Sequence, residues 1–285
     1  QEAEFSYRKA IEIKPDFAEA HSNLGGILLD LGKSQEAELS TRKAIELNPD
    51  FADAHYNLGN ILRYLGNFGD AINQYKQALK SNNTSSFAKK ALIKTKGTIC
   101  DWSDEETHNI WLKSLGIKGK AISPFGLFSL EDNPLKHLKR AKKLYKEKYT
   151  RSIKHIKSFN KNIIHIGYFS ADFRTHPVMQ LIAPLLEQHD KSRFKIYLYS
   201  FVPKEDEYTE RAKKSGCIFR DISKLDDIKA VELARSDELD IAIDLMGYTR
   251  HNRMHIFSFR VAPIQINYLG FPGSMGSDTI NYIIA

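Results

Sequence analysis

Asp172 and His176 stand four residues apart in the run Ser170-Ala171-Asp172-Phe173-Arg174-Thr175-His176-Pro177. An imidazole titrates near neutrality, so His176 can serve as a base or position one. Asp172 can orient the ring or accept a proton through water. Plainer roles compete: Asp172 can simply cap the helix that Pro177 opens, and His176 can be a surface or cap residue. Two further stretches carry unusual residues, Met246-Gly247-Tyr248-Thr249 and Leu269-Gly270-Phe271-Pro272-Gly273-Ser274-Met275-Gly276. Their glycines let backbone come close to a ligand. The first stretch contains no G-x-G-x-x-G, so a nicotinamide or flavin dinucleotide site is unsupported.

These residues need a frame. Residues 163–170 are a nearly unbroken run of strand formers, as in a strand buried on both faces. Pro177 suits the first position of a helix, and the apolar run 178–183 follows. The reading is strand, loop, helix. From Lys161 onward the pattern repeats, with strands expected at 195–199, 217–219, 240–245, 264–268 and 282–285. Helices are expected at 206–214, at 226–236 and, from the polar segment after Tyr248, to about Phe257. Such alternation predicts a parallel sheet with right-handed crossovers, which puts all three loops on one edge.

The first 97 residues are of another kind. Ala37-Glu38-Leu39 through Asp50-Phe51 echoes Ala3-Glu4-Phe5 through Asp16-Phe17 at an offset of 34 residues, and a third copy begins at Ala71. This is the tetratricopeptide pattern, an α-solenoid. Ala20, Gly25, Ala37 and Ala44 let helices approach, while Leu24, Leu28, Ile45 and Leu47 fill the seam and Pro49 ends one helix. Gln1 already falls inside a repeat, so the array is expected to continue upstream; the C-terminal strand likewise suggests continuation. Asn23 and Asn57 share one register. They can be ordinary polar surface residues, or a ladder whose amides hold the backbone of an extended acceptor peptide.

Between the two lies a helical linker, 98–160. Ser103 is the expected N-cap of a helix, Trp102 and Trp111 are expected packing anchors, and Asn133-Pro134 opens another helix. From Lys136 to Lys161 the chain carries eleven Lys or Arg against one acid, Glu147. A solvated helix face is the favoured reading; an acidic partner, nucleic acid or anionic membrane is the rival.

Bulk properties set bounds. A chain of 285 residues and net charge +7, with 42% hydrophobic and 27% charged residues, reads as a soluble globular protein of two or three domains. The excess charge is concentrated in the basic run, which disfavours a global nucleic-acid role. No signal peptide is expected, and no apolar run reaches membrane length. The two cysteines, Cys100 and Cys217, have no nearby ligand cluster, so neither disulfides nor a metal are expected and the cytoplasm is the default location.

The repeats, Cys100-Asp101-Trp102-Ser103, and the run His165-Ile166-Gly167-Tyr168-Phe169-Ser170-Ala171-Asp172-Phe173 with His176-Pro177 resemble the protein O-GlcNAc transferases, glycosyltransferase family 41. So do Gly247-Tyr248-Thr249, Ala262-Pro263-Ile264-Gln265 and Leu269-Gly270-Phe271-Pro272-Gly273. The resemblance implies a Rossmann-like α/β lobe, residues 161–285, as the N-terminal half of a GT-B fold. It places Asp172 and His176 near the transferred sugar and acceptor hydroxyl, with Tyr248, Leu269, Gly270 and Pro272 lining the sugar pocket. It further implies transfer of GlcNAc from the nucleotide-sugar donor UDP-GlcNAc to Ser or Thr of protein acceptors, with inversion and without a metal or other cofactor. Most nucleotide binding would belong to a second lobe, so residues 1–285 alone are expected to be inactive. Pro124-Phe125-Gly126 and Gln180 replace histidines of the animal enzymes, and the sequence is closer to bacterial members. Plant-type protein O-fucosyltransferases using GDP-fucose share the architecture, and a non-catalytic peptide-binding adaptor is the reading from another class.

Overall fold

The computed structural model describes residues 2–149 and 162–284, so the second half of the basic run lies outside the described residues. The chain forms two compact units, Gln1–Ile122 and Ser123–Ala285. The segment expected as a separate linker is divided between them, because its two halves pack with different neighbours.

The first unit is helical: α1 (Glu2–Ile13), α2 (Ala18–Asp30), α3 (Ser34–Leu47), α4 (Ala52–Tyr64), α5 (Phe68–Ser81), α6 (Ser86–Thr98) and α7 (Glu105–Leu112). The repeat works through close approach. A Cβ on Gly25 would lie 1.9 Å from Thr41 Oγ1, and one on Gly59, a repeat later, would lie 2.5 Å from the Tyr75 ring. Ala37, Ala44, Ala71 and Ala78 are wholly buried in the same seams. Leu24 and Leu28 pack with Ala37 and Ile61. A second repeated device is a histidine tie. The ring Nε2 of His21 lies 2.9 Å from the Pro15 carbonyl, and that of His55 lies 2.8 Å from the Pro49 carbonyl. Each tie binds a helix to the turn before it.

Two expectations for the next stretch fail. Ser103 is not the cap of α7; Asp104 holds that position, and Ser103 instead accepts a hydrogen bond from the buried Lys96 ammonium, 2.8 Å away. Lys96 is also paired with Asp101 and Asp104, so the turn folds around one lysine. Trp102 is 57% exposed and anchors no core; Trp111 is half-buried against the α4–α6 cluster.

The second unit begins with a 3-10 turn (Pro124–Leu127) and α8 (Pro134–Lys148), whose N-cap Asn133 accepts the Lys136 N–H. α8 is not simply a solvated basic face. Arg140 is fully buried and ion-paired to Glu131 at 2.6 Å, Lys136 pairs with the same carboxylate, and Lys143 pairs with Glu147. Lys139, Lys142, Lys146 and Lys148 are exposed.

Then strand and helix alternate: β1 (Ile164–Ser170), α9 (Pro177–Gln188), β2 (Phe194–Ser200), α10 (Glu207–Lys214), β3 (Ile218–Asp221), α11 (Asp227–Ser236), β4 (Ile241–Asp244), α12 (Met254–Ser258), β5 (Ile264–Tyr268) and β6 (Tyr282–Ile284). Every pairing is parallel, in the order β3-β2-β1-β4-β5-β6. The segment after Tyr248 yields only the short α12, because Asn252 closes a turn on Thr249 through its side-chain amide first. On one face of the sheet Tyr168, Val178, Met179, Ile182 and Leu198 form a core; on the other Phe169 stacks on Tyr199 at 4.3 Å. No helix stands in the crossover from β5 to β6. Instead α8 packs on that loop: a Cβ on Gly276 would lie 2.4 Å from the Lys142 nitrogen, and the Tyr145 and Thr279 hydroxyls meet at 3.1 Å.

Candidate active site

The strand order fixes where a ligand can enter. From β1 the sheet grows through β2 to β3, then the chain returns to lay β4 on β1's other side. The loops leaving β1 and β4 therefore diverge and open a crevice at their carboxyl ends, the usual ligand site of such a sheet. β1 becomes buried toward that end: Ile164 is exposed, but its last five residues are not. Asp172 and His176 lie on one side of the crevice and residues 246–249 on the other.

The β1 loop is held at several points. Asp172 N–H donates to Ser170 Oγ at 2.9 Å, Thr175 N–H to Asp206 Oδ2 at 2.7 Å, and Thr209 Oγ1 to the Phe173 carbonyl at 2.7 Å. Asp206 also caps α10 in a reciprocal box with Thr209. Desolvation works against the Asp206 charge, but hydrogen bonds from Thr175, Thr209 and Tyr208 outweigh it and hold its pKa below the ordinary carboxylate value.

On this rigid loop Asp172 is 8% exposed. Arg174 Nη2 stands 3.6 Å from its Oδ1 and His176 Nδ1 3.5 Å from its Oδ2. Both are beyond a good hydrogen bond; the first is an ion-pair distance, and the second is one only for a protonated ring. Asp172 does not cap α9; His176 does, its Nδ1 accepting the Val178 N–H at 3.3 Å. A nitrogen that accepts has a free lone pair, so in the neutral ring the proton sits on Nε2. His176 in this pose is a donor, and Asp172 is the group with acceptor capacity to spare. Arg174, in the loop but given no role from sequence, is the cation beside it.

The opposite loop is built on Asp244. Its buried carboxylate accepts the Met246 N–H at 2.9 Å and the Gly247 N–H at 3.0 Å, and Asn267 Nδ2 lies 3.4 Å away. Asn267 also donates to the Asp244 carbonyl at 3.2 Å. Burial pushes the Asp244 pKa up to about 6 against those hydrogen bonds. The space is tight: Gly247 has φ +57°, and a Cβ on Gly270 would lie 1.9 Å from the Leu245 carbonyl oxygen. Neither Asp244 nor Asn267 was singled out by sequence; an Asp closing an apolar strand gives no signal of the loop amides that turn back onto it.

The four expected sugar-pocket residues are placed differently from one another. Tyr248 is 3% exposed and its hydroxyl donates to the Met275 carbonyl at 2.6 Å. Its ring packs edge-on to Phe271 and parallel to Tyr149, so the side chain buttresses the loop. Leu269, at φ +65°, packs against the sheet core. Gly270 offers backbone alone, and Pro272 is exposed.

A cavity of about 880 Å³ lies elsewhere in this unit, between α8 and residues 274–283, and excludes Asp172 and His176. In the repeats Asn23 and Asn57 line one groove of about 390 Å³ with Tyr7 and Asn60. Their amides are not equivalent. Asn23 is exposed, whereas Asn57 Nδ2 donates to Ser22 Oγ at 3.0 Å. Asn60, absent from the expected ladder because its register partner is Gly26, accepts the Tyr75 hydroxyl at 2.9 Å. Among the described residues no group of three or more His, Cys, Asp or Glu could hold a metal, and no helix is long and apolar enough to cross a membrane.

Comparison with known proteins adds the relatives. The profile of glycosyl transferase family 41 matches residues 135–285, and tetratricopeptide profiles match 2–32, 18–51 and 52–84. A protein of Oryza sativa subsp. japonica, named probable UDP-N-acetylglucosamine–peptide N-acetylglucosaminyltransferase SPINDLY, is 41% identical over 123 residues, which are 42% of this chain and 13% of that one. A Caenorhabditis elegans UDP-N-acetylglucosamine–peptide N-acetylglucosaminyltransferase is 34% identical over 42% of this chain and 11% of its own. The solved Thermobaculum terrenum O-GlcNAc transferase, in a point-mutant form, superposes with TM-score 0.63 at 26% identity over 98% of this chain and 49% of its own. The chain thus spans about half the length of that structure, and its match covers a smaller share of the curated relatives.

Proposed function

The chain belongs to glycosyl transferase family 41, and from that premise we propose that it forms the acceptor-presenting repeats and first catalytic lobe of an inverting protein O-glycosyltransferase. The donor is UDP-GlcNAc and the acceptors are Ser or Thr hydroxyls of proteins. The observation that carries this reading is the placement of Asp172 beside His176 at the switch point of the sheet, on a loop tied down by Ser170, Asp206 and Thr209.

An inverting transfer needs a hydroxyl in line with the anomeric carbon and a group to receive its proton. Asp172 is that group: it is shielded, near Arg174 and His176, and has acceptor capacity left. His176 donates from Nε2 and orients an oxygen of donor or acceptor, fixed in direction by the cap it makes on α9. The oxygen of the hydroxyl bonds to the anomeric carbon as the bond to the leaving diphosphate breaks, and the hydroxyl proton goes to Asp172. Arg174 places positive charge beside the crevice. Donor nucleotide contacts fall largely to a second lobe, by the family resemblance. The groove of Asn23 and Asn57 holds the acceptor backbone. The protein works in the cytoplasm, with no metal or membrane required.

The test is peptide mass after the full-length protein meets a Ser/Thr-rich peptide with UDP-GlcNAc or, separately, GDP-fucose. A gain of one N-acetylhexosamine is expected. A deoxyhexose gain instead would keep the fold and change the donor; peptide binding without any gain would favour the adaptor.

A further inference from the structure

Asp244 and Asn267 lie beneath the crevice, where no ligand reaches them directly, yet they join its two sides. Asp244 ends β4 and Asn267 lies in β5, paired across the sheet. The carboxylate gathers the Met246 and Gly247 N–H groups and so bends the chain sharply after β4. Met246 in turn reaches the other wall: Ser170 Oγ donates to Met246 Sδ at 3.5 Å while it accepts the Asp172 N–H. A line of contacts therefore runs from Asp244 through Met246 and Ser170 to Asp172. The surroundings leave little room for another arrangement. A Cβ on Gly247 would fall 2.2 Å from Phe271 Cβ and 3.2 Å from Asn267 Nδ2, and Asn267 Oδ1 is buried without a hydrogen-bond partner. Asn267 is thus held for what its amide nitrogen does toward Asp244.

We propose that Asp244 and Asn267 form a buried clasp whose ionised state positions the 246–249 loop for the nucleotide-sugar donor, so that donor binding weakens when the clasp is protonated. The proposal rests on the glycosyltransferase reading of the crevice. Asp244 is a positioning residue: it acts through Met246 and Gly247 and touches no substrate. A carboxylate accepts the two amides as charge-assisted bonds, roughly twice as strong as those to a neutral acid. Burial raises the Asp244 pKa to about 6, which puts the change within reach of mild acid. The titratable groups that feel its charge are Tyr149, at the end of α8, and Tyr248, on the loop itself. Burial raises both phenols, so both stay neutral across this range. β1 contributes Phe169 and Ser170 and β5 contributes Asn267, none of which titrates.

The experiment has two readouts on the full-length protein between pH 5 and 7.5. The first is hydrogen-exchange protection of the Met246 and Gly247 amides, relative to the Leu245 amide, which is bonded to the Phe169 carbonyl and serves as internal reference. The second is equilibrium binding of UDP-GlcNAc, in the wild type and in Asp244→Asn. The wild type should lose protection at both amides below about pH 6, with donor affinity falling roughly five- to tenfold, as expected for weakening two charge-assisted bonds. Asp244→Asn should show weakened binding with that pH dependence removed. Unchanged protection of the two amides across the range in the wild type overturns the clasp without reference to any variant. Donor binding with the same pH dependence in Asp244→Asn overturns the link to the donor. Absence of donor binding at every pH, with the exchange behaviour as expected, overturns the glycosyltransferase reading itself and the donor link with it.

Discussion

His176 Nδ1 stands 3.5 Å from the Asp172 carboxylate while it receives the Val178 N–H at 3.3 Å. The nitrogen cannot serve both as proton donors and acceptors demand, because one ring position holds either a lone pair or a proton. The cap therefore selects the Nε2–H ring, and the pair divides into one donor, His176, and one acceptor, Asp172.

Separating cap from chemistry is then possible at His176. His176→Ala removes both and should cost about 1 kcal/mol of stability, the usual loss for an N-cap. His176→Asn restores a good cap but no imidazole. It should unfold in urea close to the wild type while transfer stays impaired. Recovery of transfer in His176→Asn would confine the ring's role to capping.

Gly270 and Gly247 should be intolerant for different reasons. The Gly270→Ala methyl would press on the Leu245 carbonyl, a backbone atom with no freedom to move, and Gly247→Ala adds a side chain at φ +57° against Phe271. Each should lower stability by roughly 2–4 kcal/mol. Thermal unfolding checks it; a Tm near the wild type for Gly270→Ala would show that the β4 and β5 ends do not pack this closely.

The charge on Asp244 has a sign that can be measured. Its folded pKa, about 6, lies above the unfolded value near 3.8. The protonated folded state is favoured, so its stabilising contribution is fully present below about pH 3.8 and is lost as pH rises through 6. Over that window the loss is on the order of 3 kcal/mol. The stability difference between wild type and Asp244→Asn should change accordingly between pH 4 and 7.5, with the variant gaining relative to the wild type as pH rises. A constant difference would place Asp244 outside that titration.

In the repeats the two asparagines should behave differently. Asn57→Ala loses its bond to Ser22 and should cost about 1 kcal/mol of stability, whereas the exposed Asn23 should change stability little. Both substitutions should weaken binding of an extended peptide in the groove they line, measured by calorimetry. Binding unaffected by either would place the acceptor elsewhere.

What was legible in the sequence is what depends on local pattern. The 34-residue repeat shows because each unit solves the same packing problem with the same small residues, such as Gly25 and Gly59 opposite Thr41 and Tyr75. The β1–loop–α9 stretch shows because a strand run, a Pro at N1 and an apolar helix follow one another without interruption. The missed features depend on partners distant in sequence. Nothing around Tyr248 in the sequence shows that Met275 will claim its hydroxyl and Phe271 its ring. Arg140 reads as one more base in a basic helix until Glu131 draws it inside. Asp244 and Asn267, 23 residues apart, reveal themselves only when β4 and β5 pair.

The division of labour between Asp172 and His176 is tested most directly by the rate of sugar transfer to a Ser/Thr peptide by the full-length protein carrying Asp172→Asn, at saturating UDP-GlcNAc. Removing the proton acceptor should slow transfer about 10²- to 10⁴-fold with donor binding retained, the range typical of a general base. Transfer by Asp172→Asn at the wild-type rate would contradict the assignment of Asp172 as the group that receives the hydroxyl proton.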